Sequence, residues 1–257
     1  MIIAGPCSVE SREQTLATYR GLAACGCVDM IRGGVWKPRT YPSCFQGVGE
    51  VGLEWLAEAK AETGLPFGVE VANSRHVEAA LGAGADMVWI GARTTGNPFS
   101  VQEVADALRG TEVLVLVKNA QMPDTGLWTG AVERMLTAGV GPERLVLVHR
   151  GFAQTSGNEY RNPPVWHVAL EMRRRFPELK MLCDPSHICG RREGLAATAQ
   201  KAADLSYDGL FMESHVRPDE ALSDAAQQVT PEQLGELLAG IRWRRETVDV
   251  PQFEADM

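Results

Sequence analysis

The sequence opens with Met1-Ile2-Ile3-Ala4-Gly5-Pro6-Cys7-Ser8-Val9-Glu10, and this stretch decides how the rest is interpreted. Its apolar run, Met1–Ala4, is short and stops at a Gly-Pro breaker, which predicts a buried strand rather than a helix. Cys7 and Ser8 then follow the carboxyl end of that strand, where α/β folds place their chemistry. A small core cysteine is the alternative interpretation of Cys7, since free cysteine is often buried. The later strand ends decide between the two.

The same pattern recurs along the whole chain. We predict strands at Met1–Ala4, Val28–Ile31, Pro66–Val71, Met87–Ile90, Val113–Val117, Leu145–Val148, Lys180–Leu182 and Gly209–Met212. We predict helices at Gln14–Ala24, Leu53–Glu62, Arg75–Ala83, Val101–Leu108, Gly130–Ala138, Val165–Arg175, Arg192–Ala203 and Pro231–Ile241. Either Asn73 or Ser74, and also Asn97 and Thr230, are suited to cap helix starts. Alternating βα units predict a single-domain (β/α)8 TIM barrel over residues 1–243, followed by a polar tail over 244–257; a doubly wound sheet is the alternative.

Composition limits the classes of function. The chain has 257 residues, with ordinary apolar (45%) and charged (23%) fractions. A net charge of -8 argues against a nucleic-acid partner. No apolar run approaches the ~20 residues that cross a membrane, and no basic segment typical of a secretory signal precedes the first strand. Six cysteines in a chain of this length do not indicate a disulfide scaffold, so we expect Cys25, Cys27 and Cys183 to be reduced packing residues in a cytoplasmic protein.

Two long irregular stretches, Trp36–Glu50 and Gly151–Pro164, follow the second and sixth predicted strands. Loops of this length without secondary structure are usually functional. Because both follow strand carboxyl ends, we expect both to cover the catalytic face of the barrel.

One group of side chains at the strand ends offers metal ligands: Cys7, His187, Glu213 and Asp224. Thiolate, imidazole and carboxylate together bind divalent transition metals. Their spacing is not a local metal motif, so the prediction depends on the barrel bringing four strand ends together. A structural or hydrogen-bonding role is the alternative for His187.

A second group is cationic: Arg32, Lys37, Arg39, Arg93, Lys118 and Arg150. In an acidic protein these charges would repel one another without an anion between them. The planar guanidinium suits phosphate and carboxylate, so the group predicts two phosphates and a carboxylate. With the metal, it predicts the joining of two anionic substrates, one of which presents a carbonyl for the metal to polarise.

These residues fall in motifs that span nearly the whole chain in order. They are Ala4-Gly5-Pro6-Cys7-Ser8, Lys37-Pro38-Arg39-Thr40, Ile90-Gly91-Ala92-Arg93-Thr94, Lys118-Asn119, His149-Arg150-Gly151, Asp184-Pro185-Ser186-His187, and Met212-Glu213 through Ser223-Asp224. In them the chain resembles the 3-deoxy-D-arabino-heptulosonate 7-phosphate (DAHP) synthases, most closely the type I beta branch.

The resemblance implies a role for each residue. The resemblance implies four metal ligands, namely Cys7, His187, Glu213 and Asp224. It implies Mn²⁺ as the foremost metal, with Co²⁺, Fe²⁺, Zn²⁺ or Cd²⁺ as alternatives. For phosphoenolpyruvate it implies Arg32, Arg93, Lys118 and Arg150, and for erythrose 4-phosphate the loop Lys37, Pro38, Arg39 and Thr40. Catalytic roles are implied for Lys37, His187 and Glu70, and either Lys37 or His187 could transfer the proton.

The implied reaction is an aldol-like condensation that begins the shikimate pathway. C3 of phosphoenolpyruvate attacks the polarised aldehyde of erythrose 4-phosphate, water adds at C2, and phosphate leaves by C–O cleavage. The nearest rival is a 3-deoxy-octulosonate 8-phosphate synthase using arabinose 5-phosphate, which typically carries Lys-Ala-Asn-Arg-Ser where this chain has Lys37-Pro38-Arg39-Thr40. More distant rivals are a metal-dependent phosphate-ester hydrolase and a barrel that binds a phosphorylated metabolite without converting it.

Many members of this family carry an N-terminal regulatory domain or a fused chorismate mutase, and this sequence shows neither pattern. We therefore expect the isolated chain to lack feedback inhibition. An unregulated enzyme, regulation by a chorismate mutase partner and a trimmed catalytic domain all stay open. The resemblance also implies a homo-oligomer, either a dimer or a tetramer.

Overall fold

Eight parallel strands pair in chain order and close into a barrel in the computed structural model, which describes residues 1–38, 40–154 and 159–244. The strands are β1 (Ile2–Gly5), β2 (Met30–Arg32), β3 (Phe67–Val71), β4 (Met87–Ile90), β5 (Leu114–Lys118), β6 (Leu145–His149), β7 (Lys180–Cys183) and β8 (Gly209–Glu213). Closure is made by β8 against β1, in a register that pairs Gly5 with Glu213. The predicted (β/α)8 fold is confirmed.

Helices connect the strands around the outside of the barrel. They are α1 (Arg12–Cys25), α2 (Val51–Thr63), α3 (Ser74–Gly82), α4 (Ala92–Thr95), α5 (Pro98–Ala107), α6 (Thr125–Thr137), α7 (Trp166–Arg175), α8 (Pro185–Cys189), α9 (Leu195–Asp204) and α10 (Pro231–Gly240). The predicted caps are confirmed: the side chains of Asn73, Asn97 and Thr230 each accept hydrogen bonds from backbone N–H groups of the first helical turn.

Apolar side chains fill the barrel and surround it. The interior contains Ile3, Met87, Trp89, Leu116, Val146, Val148, Leu182 and Phe211, all essentially inaccessible to solvent. A larger apolar layer lies between the strands and the helices. The interior of the barrel is therefore a packed core rather than a pore.

Several strands run one residue further than the apolar pattern predicts, and in β2, β5, β6 and β8 the added residue is polar. Lys118 ends β5 and is in register with Val148, and Glu213 ends β8. The backbone ladder thus holds these residues although their side chains are charged. This placement fixes the direction in which each side chain leaves the barrel rim.

The expectation that Cys25 and Cys27 are reduced is wrong in the structure, where a disulfide joins them. Gly26 adopts a left-handed conformation (φ 63°) at the end of α1, and this turn brings the two Cα atoms to 5.4 Å. That separation is suited to a disulfide. Cys183 is a buried free thiol, as expected.

The predicted tail over 244–257 lies outside the described residues apart from Arg244. In the part of the chain that is described, none of the helices combines the length and apolarity needed to cross a bilayer.

Candidate active site

A polar cavity of about 280 Å³ opens at the carboxyl ends of the strands. Five cationic side chains line it, and they come from the last residue of β5 and from the segments that follow β2, β4 and β6: Lys37, Arg93, Lys118, Arg150 and Arg161. Glu70, His187 and Asp224 complete its chemically active wall. The barrel thus brings residues more than 150 positions apart to one mouth, as the strand-end pattern predicts.

Lys118 is the most deeply placed cation on the cavity wall. Its side chain is 6% exposed, its Nζ donates to Asp184 Oδ2 at 2.8 Å, and it lies 4.5 Å from the centre of the Phe211 ring. Burial lowers the pKa of Lys118. Burial also opposes ionisation of Asp184, but His187 and Lys118 outweigh it and hold the Asp184 pKa well below its usual range. A charged Lys118 is therefore stabilised at the base of the cavity.

Arg150 is held by side chains from two loops. Its Nη1 donates to Asn162 Oδ1 at 2.7 Å, and its backbone N–H donates to Asn119 Oδ1 at 2.7 Å. Burial lowers the Arg150 pKa to about 10, so the guanidinium stays charged at neutral pH. Gly151 follows with φ 75°, and a Cβ there would meet the Asn162 carbonyl at 2.1 Å. The His149-Arg150-Gly151 motif thus aims Arg150 into the cavity while the chain turns away.

His149 itself does not line the cavity. It is fully buried, with Nε2 2.5 Å from the Pro164 carbonyl and Nδ1 2.8 Å from the Tyr207 hydroxyl. Its contribution is to anchor the end of β6 beneath Arg150.

Arg32 lies beneath the cavity rather than on its wall. It is 1% exposed, and its guanidinium carbon lies 4.9 Å from the ring centres of both Trp89 and Phe211. Nη1 is 3.2 Å from Glu213 Oε1, and Nη2 donates to the Cys7 carbonyl at 3.3 Å. Of the four predicted phosphoenolpyruvate residues, the structure brings Arg93, Lys118 and Arg150 to the wall, and it places Arg32 under the predicted metal ligands.

Cys7, Glu213 and Asp224 form the predicted ligand cluster. One donor atom from each lies within 4.8 Å of the others, and Cys7 Sγ is 3.4 Å from Asp224 Oδ2. Glu213 is fully buried, and its Oε1 has no hydrogen-bond partner among the described residues. Its ion-pair partner is Arg32 Nη1 at 3.2 Å, and a buried carboxylate oxygen without an aligned hydrogen bond, beside a thiol and a second carboxylate, fits a divalent ion. Burial, together with Glu213, raises the pKa of Cys7 to about 12, so metal binding would displace the thiol proton.

His187 adjoins this cluster from one side. Its Nε2 lies 3.8 Å from Glu213 Oε1 and 4.0 Å from Asp224 Oδ2. Its Nδ1 lies 2.8 Å from Asp184 Oδ2, although the pair lacks the alignment of a hydrogen bond. Burial lowers the His187 pKa, which favours the neutral ring that ligates metals. A carboxylate behind a ligating imidazole is the usual supporting arrangement at metal sites.

The loop after β2 contributes part of its predicted set. Lys37 Nζ donates to the Cys7 carbonyl at 2.8 Å and lies 3.2 Å from Cys7 Sγ, so it reaches the cluster itself. Pro38 lines the cavity, Thr40 is exposed away from it, and Arg39 lies outside the described residues.

Glu70 also lies on the cavity wall. Its Oε2 accepts a hydrogen bond from Trp89 Nε1 at 3.1 Å. Gly91 lies directly against it, since a Cβ at that position would meet Glu70 Oε1 at 2.1 Å. The glycine of the Ile90-Gly91-Ala92-Arg93-Thr94 motif therefore makes room for a carboxylate.

The sequence did not single out Arg161. Its Nη1 lies 3.3 Å from Asp224 Oδ1 and donates to Gln227 Oε1 at 2.8 Å. It lies inside the irregular stretch Gly151–Pro164 rather than directly after a strand. The length of that stretch indicated function, but nothing in it distinguished this arginine from its neighbours.

Comparison with known proteins agrees with this geometry. The sequence profile described as the DAHP synthetase I family matches residues 1–248. A Thermotoga maritima protein named phospho-2-dehydro-3-deoxyheptonate aldolase is 35% identical over 237 residues, which cover 92% of this chain and 67% of that protein. Its crystal structure superposes with a TM-score of 0.82 at 33% identity, over 93% of this chain and 67% of that one.

Two further relatives are also similar to this chain. A truncated 3-deoxy-D-arabino-heptulosonate 7-phosphate synthase from Thermotoga maritima gives a TM-score of 0.79 at 30% identity, over 93% of this chain and 84% of that one. A 2-dehydro-3-deoxyphosphooctonate aldolase from Nitratidesulfovibrio vulgaris is 27% identical, over 92% of this chain and 89% of that protein.

Proposed function

This chain belongs to the DAHP synthetase I family, and from that membership we propose that its barrel mouth condenses phosphoenolpyruvate with D-erythrose 4-phosphate and water, giving DAHP and phosphate. The protein is then a transferase that catalyses the first step of the shikimate pathway. The observation that carries the proposal is the cation-lined cavity whose wall includes Asp224, one member of a cluster of one thiol and two carboxylates. The lower identity to the octulosonate relatives argues against arabinose 5-phosphate as the substrate.

Phosphoenolpyruvate is assigned to three cations of the mouth, of which Lys118 and Arg150 are buried and Arg93 is exposed. Arg93, Lys118 and Arg150 line the cavity and offer charge to its phosphate and carboxylate. Arg32 completes the set from below, where its charge offsets that of Glu213 at 3.2 Å. Erythrose 4-phosphate is assigned to the loop Lys37-Pro38-Arg39-Thr40. The contacts of Lys37 with Cys7 support this assignment, because Cys7 is a proposed ligand of the metal that would polarise the aldehyde.

The cluster of Cys7, Glu213 and Asp224, joined by His187, would hold a divalent ion, for which we propose Mn²⁺ with Co²⁺, Fe²⁺, Zn²⁺ or Cd²⁺ as substitutes. When bound, the ion supplies Lewis-acid polarisation of the aldehyde carbonyl.

Between the two candidates for proton transfer, we assign the step to Lys37. The two ring nitrogens of His187 face Asp184 on one side and the cluster on the other, which suits a ligand. Lys37 Nζ lies 3.2 Å from Cys7 Sγ and carries protons that it can donate to the aldehyde oxygen as C3 attacks. Glu70, held by Trp89, presents a carboxylate to the positive charge that develops at C2 before water adds.

Two wider assignments belong to the proposal. Both substrates are phosphorylated metabolites made inside cells, which supports a cytoplasmic site of action. A homo-oligomer, either a dimer or a tetramer, and control by a chorismate mutase partner are proposed from the family resemblance.

A substrate panel tests the proposed function. The protein with added Mn²⁺ should consume phosphoenolpyruvate when erythrose 4-phosphate is present, which is measured as the loss of enol absorbance. It should release one phosphate for each phosphoenolpyruvate consumed. Preferential turnover with arabinose 5-phosphate would show that the chain catalyses the octulosonate reaction instead. Phosphate release from either substrate alone would instead indicate a hydrolase.

A further inference from the structure

Two consecutive glutamines, Gln227 and Gln228, are buried behind the ligand cluster, at 1% and 0% exposure. We propose that both are positioning residues for the metal: Gln227 orients the Glu213 carboxylate, and Gln228 fixes the backbone of Cys7 against the backbone that precedes Asp224. The inference rests on the proposed metal-dependent function and adds two residues to its machinery.

The amide of Gln227 bridges a carboxylate and a guanidinium. Its Nε2 donates to Glu213 Oε2 at 2.7 Å, and its Oε1 accepts from Arg161 Nη1 at 2.8 Å. An ionised carboxylate only accepts and a guanidinium only donates, so these partners dictate which way the amide points. With Oε2 bound to Gln227, the other oxygen, Oε1, is the one that lies 3.8 Å from His187 Nε2 and 3.2 Å from Arg32 Nη1.

The local backbone explains how Gln227 reaches this position. Asp224 adopts a left-handed conformation (φ 48°), and a short 3₁₀ turn, Ala225–Gln227, follows it. The Gln227 backbone N–H donates to the Asp224 carbonyl at 3.2 Å across this turn, which holds Gln227 close to Asp224. Arg161, which lies 3.3 Å from Asp224 Oδ1, closes a continuous path of contacts from Asp224 through Gln227 to Glu213.

Gln228 performs the corresponding task between two loops. Its Oε1 accepts from the Cys7 backbone N–H at 2.9 Å, and its Nε2 donates to the Ser223 carbonyl at 2.9 Å. Both partners again fix the amide orientation. The loop after β1 is thereby joined to the loop after β8, one residue away from Asp224. Cys7 Sγ and Asp224 Oδ2 then lie 3.4 Å apart.

Glutamine is the residue type that both positions require. Each site needs one donor and one acceptor at the end of the same side chain. A glutamate at position 227 would set a second carboxylate against Glu213, and an apolar residue would leave buried partners unpaired. Outer partners of this kind commonly contribute 10–100-fold to metal affinity.

Metal affinity tests the proposal without reference to turnover. Metal-free protein is titrated with Co²⁺, and the thiolate-to-Co²⁺ charge-transfer absorption reports ligation by Cys7. Gln227→Met should weaken Co²⁺ binding by about 10–100-fold. The absorption should keep its intensity at saturation, because the Cys7 contact is untouched. Gln228→Met should weaken binding by a similar factor and also change the absorption, because its loss releases the Cys7 backbone.

Two further variants control for folding and for the loss of any glutamine. Gln227→Asn keeps an amide that is one methylene too short to reach both partners, and it should reproduce the weakened binding with less disturbance of packing. Gln102→Met removes an amide that bonds Asp106 and Arg134 on the outer helices, and it should bind Co²⁺ as the wild type does. Thermal unfolding of each metal-free variant confirms that it is folded.

The outcomes separate this inference from the proposed function. If the Gln227 and Gln228 variants bind Co²⁺ within twofold of the wild type, with unchanged absorption, the glutamines do not position the site. The metal-dependent function would stand in that case. Wild-type protein that binds no Co²⁺ would overturn both.

Discussion

Lowering the pH from 7 to 5 should destabilise the barrel through His149. The Pro164 carbonyl can only accept, so Nε2 of His149 carries the proton and Nδ1 accepts from the Tyr207 hydroxyl. The neutral ring therefore has both partners satisfied. Burial opposes the charged form and lowers the His149 pKa from 6.5 to about 4.

The sign and the size of the effect follow from the two pKa values. In the unfolded chain His149 takes up a proton near pH 6.5, whereas in the folded chain it does so near pH 4. Between those values the unfolded state binds more protons, so the free energy of unfolding falls as the pH falls. Relative to pH 7, the contribution of His149 to the free energy of unfolding should fall by about 2 kcal/mol at pH 5 and by about 3 kcal/mol near pH 4.

Urea unfolding at several pH values measures this effect. The wild type is compared with His149→Asn, which removes the titrating ring, and with His167→Asn at an exposed histidine. The difference in unfolding free energy between wild type and His149→Asn should shrink by about 2 kcal/mol from pH 7 to pH 5, while His167→Asn should follow the wild type. A difference that does not change with pH would refute the buried neutral histidine.

Other substitutions separate binding from stability. Lys118→Met should abolish turnover and also lower the free energy of unfolding by about 3 kcal/mol or more, measured by urea unfolding, because Asp184 loses a buried partner. Arg93→Ala, at an exposed residue, should raise KM for phosphoenolpyruvate and leave the urea midpoint unchanged; a shifted midpoint would give Arg93 a structural role. His76→Ala removes a ring stacked 3.9 Å from Trp36, so KM for erythrose 4-phosphate should rise up to about tenfold and be restored in His76→Phe; unchanged kinetics would separate this stack from the substrate loop.

The barrel could be predicted because its signal is local and repeated. Each strand is an apolar run that ends at a breaker or a polar residue, and the strand predicted at Met87–Ile90 has the observed bounds. The short helices α4 and α8 were not predicted. They span four and five residues directly after strand ends. A helix this short does not contain enough residues to show the hydrophobic periodicity of a helix in the sequence.

The sequence predicts more of the chemistry of the site than of its geometry. Cys7, Glu213 and Asp224 converge as the strand-end pattern predicts, because a closed parallel barrel brings strand carboxyl ends to one rim. The depth of Arg32 could not be predicted, since it depends on aromatic rings contributed by β4 and β8.

The roles of Gln227 and Arg161 could not be predicted from the sequence for a related reason. Each gains its role from one side-chain contact across loops whose paths are set by packing of the folded chain. The disulfide between Cys25 and Cys27 likewise depends on the left-handed turn at Gly26, which composition alone does not reveal.

Metal dependence at Cys7 tests the central claim most directly. Steady-state consumption of phosphoenolpyruvate with erythrose 4-phosphate is measured for EDTA-treated wild type and Cys7→Ser, before and after addition of Mn²⁺. The wild type should be inactive after EDTA and recover with Mn²⁺, while Cys7→Ser should stay folded and recover little activity. Full wild-type activity in excess EDTA, or a fully active serine variant, would contradict the assignment of this barrel mouth as a thiolate-ligated metal site.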